Sequence, residues 1–227
     1  MIDFFNLKVV SMVIKILVYI SIGVALYILI VKKRTKPVSF GYKHMWLAIR
    51  TKNTKKVIEV LGLKNGVPTY WKDGVDEDLF ETVFVSPPVV GWTFVIGSLP
   101  GINESKLSEV KKTLLDLGEY FIDVQFFVTH RVSEYHSWSR VVKKKFIRGY
   151  AFLGESMQVL WDVGKPTEEE VKLEMNFSDI TKDTNSDKKL PTEDDVIKLA
   201  GAWSIDPTTL ENEKSKGKGY LFQTKEE

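Results

Sequence analysis

The longest apolar stretch of the chain runs from Val9 to Val31 and is interrupted only by Lys15. At a rise of about 1.5 Å per residue, a helix over this stretch crosses a bilayer core roughly 30 Å thick. Lys15 lies inside the stretch, and its flexible side chain can carry the ammonium group to the membrane interface. The pattern predicts one transmembrane helix over residues 9–31, preceded by an N-terminal tail at residues 1–8.

Basic residues end the apolar stretch and open a predicted linker over residues 32–42. The basic cluster consists of Lys32, Lys33, Arg34 and Lys36. Only Lys8 and Lys15 are cationic side chains on the N-terminal side. Because cytoplasmic flanks carry the excess of Lys and Arg, we expect a single-pass protein of the cell membrane with its large domain in the cytosol. The bulky residues 29–31 differ from the small-residue cleavage site of a signal peptide, so we expect an uncleaved anchor.

Periodicity beyond the linker predicts an α+β domain over residues 43–210. Its first six segments follow the order strand, helix, strand, strand, helix, strand, which is the order of a ferredoxin-like β-α-β-β-α-β core. The four strands are predicted at residues 46–51, 82–86, 92–96 and 121–129, and the two helices at residues 55–61 and 104–117. An antiparallel meander is expected to extend this core, with strands at residues 135–142 and 146–153 and a further candidate at residues 158–163.

The pattern near the C-terminus is less uniform. Residues 167–170 have capping-box spacing, which predicts a helix, whereas apolar alternation over residues 171–177 predicts a strand. Both interpretations of this segment remain open. Residues 178–190 contain almost no apolar side chains and are predicted to form a mobile loop. A helix capped by Thr192 follows. Residues 211–227 are predicted to form a charged tail that is frayed except around Tyr220, Leu221 and Phe222.

Composition narrows the possible chemistry. The chain has no cysteine, which excludes disulfides and a cysteine-linked lipid anchor. The formal charge is +2, but the first 36 residues hold six of the 32 Lys and Arg residues and one of the 30 Asp and Glu residues. The remainder therefore carries a net charge of −3, and no nucleic-acid partner is expected. The sequence also contains no glycine-rich phosphate loop and no recognisable nucleophile motif.

The segment between Thr129 and Trp138 contains two of the three histidines, His130 and His136, with Glu134 between them. If the chain reverses midway, the two histidines become cross-strand neighbours with Cβ atoms about 5 Å apart. Two imidazoles and a carboxylate form a candidate divalent-metal or general acid-base set. The alternative is that each histidine is held locally by its strand. The spacing matches no metal-binding signature, so no resident metal or cofactor is expected.

Four further side chains are candidate ligand contacts: Trp71, Arg131, Arg140 and Arg148. The three arginines belong to the predicted meander and could line an anion site. Arginines on strands are more often solvated or paired, here with Glu134 and Glu155 as candidate partners. Most of the six tryptophans are expected in the core. Trp71 falls in a predicted loop and is the candidate exception, because an exposed tryptophan there would supply contact area for a partner.

Three motifs carry a resemblance to a group of bacterial proteins. They are Thr129-His-Arg-Val-Ser-Glu-Tyr-His-Ser-Trp138, Arg148-Gly-Tyr-Ala-Phe-Leu-Gly-Glu155 and Gly201-Ala-Trp-Ser-Ile-Asp-Pro-Thr-Thr209. At these motifs residues 43–210 resemble an uncharacterised bacterial domain family with no assigned activity. The resemblance implies a bacterial source, leaves the membrane anchor outside, and assigns no role to any residue.

These observations favour a binding protein over an enzyme. We expect a single-pass membrane protein whose α+β domain binds a protein partner or small ligand, and we expect a self-protection role of the immunity type. The sequence leaves the identity of that partner open. The alternative is a metal-assisted or general acid-base enzyme that uses His130, Glu134 and His136. The lipid bilayer is a partner in either case.

Overall fold

The computed structural model describes most of the chain. The described residues are 2–75, 81–99, 102–103, 105–177 and 189–224. Helix α1, Ile2–Arg34, contains the segment Val9–Ile30, which has 22 residues and a mean hydropathy of 2.5. None of this segment is buried inside the protein, and it is long and apolar enough to cross a membrane.

The remaining elements form a mixed α+β fold around a large antiparallel sheet. Its strands are β1 (Met45–Ile49), β2 (Val67–Thr69), β3 (Thr82–Val85), β4 (Thr93–Gly97), β5 (Asp123–His130), β6 (Tyr135–Val142), β7 (Lys145–Leu153), β8 (Gln158–Val163) and β9 (Gly219–Gln223). The other helices are α2 (Thr54–Val60), α3 (Trp71–Val75), α4 (Leu107–Gly118), α5 (Glu168–Lys172) and α6 (Glu193–Trp203). The strand order in the sheet is β2, β9, β3, β4, β1, β5, β6, β7, β8.

The sheet is covered on both faces, because side chains of successive strand residues point to opposite sides. In β1, Trp46 and Ala48 belong to one core, Leu47 and Ile49 belong to the other, and the whole strand is buried. Helix α6 packs against the first core, and helices α2 and α4 pack against the second. A strand buried on both faces needs a continuous apolar run, which is the pattern that the sequence shows at β1.

The strands predicted for the first part of the domain lie side by side, in the order β3, β4, β1, β5, and each neighbouring pair is antiparallel. The hairpin of β3 and β4 is confirmed, as are strands β6, β7 and β8 of the meander. Val57 of α2 and Val110 of α4 are buried in the same core, so both helices lie on one face of the sheet. Helix α4 begins at Leu107, and the predicted start at residue 104 is wrong.

The two interpretations of residues 167–177 are resolved by helix α5. The Thr167 hydroxyl accepts a hydrogen bond from the amide of Glu170, and the Glu170 carboxylate accepts one from the amide of Thr167. This reciprocal pair is a capping box, so the capping-box spacing predicts the segment correctly. Val171 is exposed on the helix, and the strand interpretation is wrong. Helix α6 begins with a second capping box at Thr192, as predicted.

The domain is larger than the predicted range 43–210 at both ends. Strand β9 comes from the predicted charged tail at residues 211–227, yet it lies between β2 and β3, and its Phe222 is buried. At the other end Phe40 is buried in the core, and its amide donates to the carbonyl of Pro207. Strand β9 forms around residues 220–222, the apolar exception within the predicted tail, and the predicted linker over residues 32–42 overlaps the core from Val38 onward.

Strand β9 is hard to recognise because its apolar run, residues 220–222, is only three residues long and lies among lysines and glycines. Pairing with β2 and β3 supplies the hydrogen bonds that such a short segment lacks in isolation. The predicted mobile loop at residues 178–190 lies outside the described residues, apart from Lys189 and Leu190.

Candidate functional site

An open groove lies beside the N-terminal end of α6, where the hairpin of β5 and β6 turns. We call it the His136 groove. Its lining residues are Tyr42, Arg131, Glu134, His136 and residues 190–194. Its volume is about 590 Å³. The fold thus brings Arg131, Glu134 and His136, which the sequence marks as candidates, to one site.

The turn between β5 and β6 falls at residues 131–134, but it does not make the two histidines neighbours. The register pairs Thr129 with His136 and His130 with Tyr135. Paired residues share a face of the sheet and successive residues alternate, so the two histidines project from opposite faces. The His130 ring lies beside the Tyr135 ring, with 6.0 Å between the centroids. The predicted cross-strand histidine pair is wrong.

Thr129 holds His136 in one tautomer. The histidine is only 4% exposed, and its Nδ1 lies 3.2 Å from Thr129 Oγ1, which lies 3.2 Å from Glu193 Oε1. A carboxylate only accepts, so the Thr129 hydroxyl donates to Glu193, and Nδ1–H of His136 donates to Thr129. The Nε2 atom of the neutral ring is then an acceptor, and it makes no hydrogen bond to any described residue.

Burial lowers the pKa of His136 below its ordinary value of 6.5. The negative charges of Glu193, Glu134 and Asp195 oppose this shift, and the neighbouring His130 adds to it, but burial is the largest effect. The ring is therefore neutral at pH 7. A neutral imidazole in this position can accept a hydrogen bond or a proton at Nε2.

Carboxylates dominate the charge of the His136 groove. Arg131 and Glu193 neutralise each other, because Arg131 Nη2 lies 2.7 Å from Glu193 Oε2. Glu134 and Asp194 form no ion pair with any described residue. Asp194 Oδ1 accepts a hydrogen bond of 2.9 Å from the Tyr42 hydroxyl, and this bond is the main cause of the raised pKa of Tyr42. The groove therefore has two exposed carboxylates, Glu134 and Asp194, that form no ion pair within the described part of the chain.

The other two candidate arginines lie outside the groove and are held in ion pairs. Arg140 donates to Asp123 from Nε and Nη2, at 3.1 and 2.7 Å. Arg148 is buried, with Nε 2.8 Å from Glu170 Oε1, and its Nη1 binds Asp162. The carboxylates that the sequence suggested as partners are not the ones that the structure provides. These arginines join the meander to α5 and do not line the groove.

Trp71 is buried, so the prediction of an exposed contact is wrong. It begins helix α3 in the predicted loop, and its ring packs edge-on against Phe84 with 5.5 Å between the centroids. Its Nε1 donates to Ser215 Oγ at 3.3 Å. The error has the same origin as the missed strand β9, because the chain leading to β9 packs over this part of the sheet.

The described residues contain no group of three or more His, Asp or Glu side chains arranged to hold a metal ion. Tyr42, Glu193 and Asp194 also line the groove, although the sequence pattern did not mark them as candidates. Acidic side chains are common in the first turn of a helix, because they interact favourably with the positive end of the helix dipole. In the sequence, Glu193 and Asp194 are therefore explained by the start of α6 alone. Their approach to β5 and to Tyr42 joins positions far apart in the chain, which local patterns do not reveal.

No protein-family model, curated protein or solved structure matches this chain. No activity or binding residue can therefore be transferred from a relative. Function is inferred from two features of the molecule itself, the exposed apolar helix α1 and the chemistry of the His136 groove.

We expect the free energy of unfolding to fall as the pH drops below about 6.5. The unfolded chain binds more protons than the buried His136 between the two pKa values, so stability rises with pH across that interval and levels off above it. His44, whose pKa burial also lowers, contributes with the same sign. Urea unfolding of the purified protein between about pH 5 and pH 8 measures the slope.

The variant His136→Asn provides the comparison for this pH dependence. Asparagine keeps an N–H donor for Thr129 and does not titrate. We expect a shallower slope in the variant, with the contribution of His44 remaining. An unchanged slope would show that burial does not shift the pKa of His136.

Proposed function

We propose that this chain is a single-pass membrane protein whose cytosolic α+β domain binds a partner in the His136 groove. Helix α1 is the evidence for the membrane anchor. Its 22-residue segment Val9–Ile30 is not buried in the protein, whereas the domain has two hydrophobic cores that do not include it. So much exposed apolar surface is unfavourable in water, and a bilayer supplies the missing burial.

The orientation of the proposed anchor rests on charge. The basic residues directly after the apolar segment favour the cytosolic side for the domain. Tyr42, which lines the groove, follows the end of α1 at Arg34 by eight residues, so the chain allows at most about 28 Å between them. The domain would therefore meet its partner close to the membrane, and the role that we propose for it there is self-protection of the immunity type.

We also propose that β1, α2, β3, β4, α4 and β5 form a ferredoxin-like core. The antiparallel order β3, β4, β1, β5 and the location of both helices on one face support this assignment. On this proposal the groove lies at the junction between the core and the meander, because its hairpin joins β5 to β6.

The geometry of the groove favours binding over catalysis. His130 lies on the other face, so an acid-base mechanism would have only His136 and Glu134 from the predicted set. A binding role needs no further group, because the carboxylates and His136 Nε2 are acceptors that a partner can fill directly. We therefore place the acid-base enzyme second.

A fluorescent reporter that matures only in the cytosol tests the anchor. We expect the full chain with this reporter at its C-terminus to glow and to sediment with membranes. The same fusion without residues 1–36 should glow and remain in the soluble fraction, because Phe40 and the rest of the core are kept. A dark full-length fusion would overturn the orientation, and membrane retention of the shortened fusion would overturn the role of α1.

A further inference from the structure

We infer that the edge strand β8 pairs with β8 of a second copy of this chain, antiparallel, so that the protein forms a two-fold dimer in its membrane. This surface is separate from the His136 groove. The inference goes beyond the proposed function, and only its membrane step rests on the proposed anchor. It follows from three features, namely an unprotected sheet edge, a buried donor without an acceptor on that edge, and the face of the sheet at which the linker arrives.

The two edges of the sheet differ in their protection. Strand β2 lies at one end and β8 at the other. An edge strand presents N–H and C=O groups without partners, and natural proteins protect such edges with short strands, proline or charged side chains. Strand β2 has only three residues, and its central Pro68 has no N–H. Strand β8 has six residues without proline or lysine, and in the described part of the chain it pairs only with β7.

The side chains of β8 are mostly apolar and partly exposed. Val159 packs against the first core and Leu160 against the second, and both are only half-buried. Asp162 is the charged residue of the strand, and the buried Arg148 neutralises it. The register with β7 shifts at Leu160, and this bulge twists the edge without adding a charge or a proline. A strand placed next to β8 would therefore bury apolar surface on both faces.

Trp161 supplies an independent sign of a missing neighbour. This residue of β8 is 7% exposed, and its Nε1 donates to no acceptor in the described part of the chain. A buried N–H without a hydrogen bond is unfavourable, so an acceptor would stabilise it. Because Trp161 belongs to the outermost strand, that acceptor can come from beyond the edge. A neighbouring strand carries the carbonyl oxygens that are needed.

The path of the linker indicates a second copy as the neighbour. Val38 and Phe40 pack against the first core, and a Cβ added at Gly41 would overlap Ile197 of α6. The chain from α1 therefore reaches the domain on the α6 face of the sheet. Opposed residues of antiparallel strands share a face, so the two-fold axis of such a pair is perpendicular to the sheet. Both copies then turn their α6 faces and their linkers to the same side, as two anchors in one bilayer require.

The membrane compensates for the small size of this interface. Stable interfaces in solution typically bury about 1,200–2,000 Å², which is more than two six-residue strands supply by pairing alone. Two copies that are anchored in one bilayer move in a single plane on short tethers. This confinement raises the effective concentration of one β8 near the other. The inference therefore concerns the full chain in a bilayer.

The first test uses disulfide crosslinking of the full chain in phosphatidylcholine vesicles, with copper phenanthroline as oxidant. The natural chain has no cysteine, so a single introduced cysteine reports only its own position. The middle of each antiparallel strand lies closest to its own copy. We therefore expect Leu160→Cys to form a linked dimer in the highest yield, and Gln158→Cys and Val163→Cys to form less. The matched control is Val67→Cys on β2, which is 61% exposed and should stay monomeric.

The second test measures energy transfer between copies that carry donor or acceptor fluorophores at the C-terminus, in the same vesicles. Leu160→Lys places two like charges opposite each other in the dimer. It should lower the fraction of paired chains at least about tenfold, because like charges facing each other across an interface are strongly unfavourable. Val67→Lys adds the same charge to the other edge and should leave the transfer unchanged. Circular dichroism checks that both variants fold, and if Leu160→Lys does not, the cysteine series decides alone.

Three outcomes would overturn the inference. They are the absence of crosslinks at all three β8 positions, equal crosslinking of Val67→Cys, and undiminished energy transfer in a folded Leu160→Lys chain. In the last case α1 or another surface would hold the copies together. Recovery of the chain outside the membrane fraction would contradict the proposed anchor instead, and crosslinking at β8 in that soluble chain would show that the edge pairs without it.

Discussion

Replacing Glu170 with alanine is expected to lower the free energy of unfolding by about 3–5 kcal/mol, the usual cost of breaking a buried ion pair. Glu170 is fully buried, and its carboxylate accepts hydrogen bonds from Arg148 Nε at 2.8 Å, Trp138 Nε1 at 2.9 Å and the Thr167 amide at 2.8 Å. The substitution leaves these donors unpaired and removes half of the α5 capping box. The buried Arg148 guanidinium is then left with Asp162 as its carboxylate partner.

Glu169→Ala is the control, because it removes the adjacent carboxylate from the same helix. Glu169 is partly exposed, and its Oε1 lies 3.8 Å from Arg140 Nη1. Such a pair contributes at most about 1 kcal/mol. Urea unfolding followed by circular dichroism measures both variants. Similar losses for the two substitutions would contradict the central position of Glu170 in the buried network.

Replacing Phe222 with alanine is expected to cost about 3–5 kcal/mol, as for other buried aromatic residues. Phe222 is 3% exposed and lies opposite Val83 in the register of β9 and β3. The packing around the ring is tight, because a Cβ added at Gly66 would overlap it. Removing the ring opens a cavity between β9 and the core, and a lower midpoint of urea unfolding would report it.

The neighbouring substitution Gln223→Ala serves as the reference. Gln223 is exposed on the same strand, and its loss should change the free energy of unfolding by no more than about 0.5 kcal/mol. Equal effects at the two positions would mean that the C-terminal segment frays as its composition suggests, and that β9 does not contribute to the core.

The local sequence pattern was sufficient to predict those elements whose apolar or capping residues are close together in the chain. The run at β1, the helical spacing of Val110, Leu114 and Leu117 in α4, and the capping box at Thr167 each specify their element within one or two turns of chain. Strand β9 lacked such a signal, because its hydrogen bonds come from β2 and β3, far away in the sequence. The burial of β9 depends on its pairing with β2 and β3, which cannot be predicted from a short apolar run.

The candidate site likewise combines features that the sequence predicts with features that depend on tertiary packing. The turn after His130 and the position of Glu134 beside it were predictable, because a charged segment separates two apolar strands. The face of each histidine was not predictable, since a shift of one residue in the register exchanges the two faces. The carboxylates of α6 reach the groove only through docking of that helix on the sheet. Sequence alone therefore identified His136 but not the surroundings that give it an available acceptor.

The hydrogen bond from the Phe40 amide to the Pro207 carbonyl, 3.0 Å long, ties the chain before β1 to the domain, and Val38 already packs against the first core. Four peptide units separate Val38 from the end of α1 at Arg34, so this contact with the core lies within about 14 Å of the helix end. A tether this short limits the volume that the domain can sweep. With α1 in a bilayer, partners confined to the same membrane would meet the groove at a high effective concentration, and even a weak contact could be occupied there.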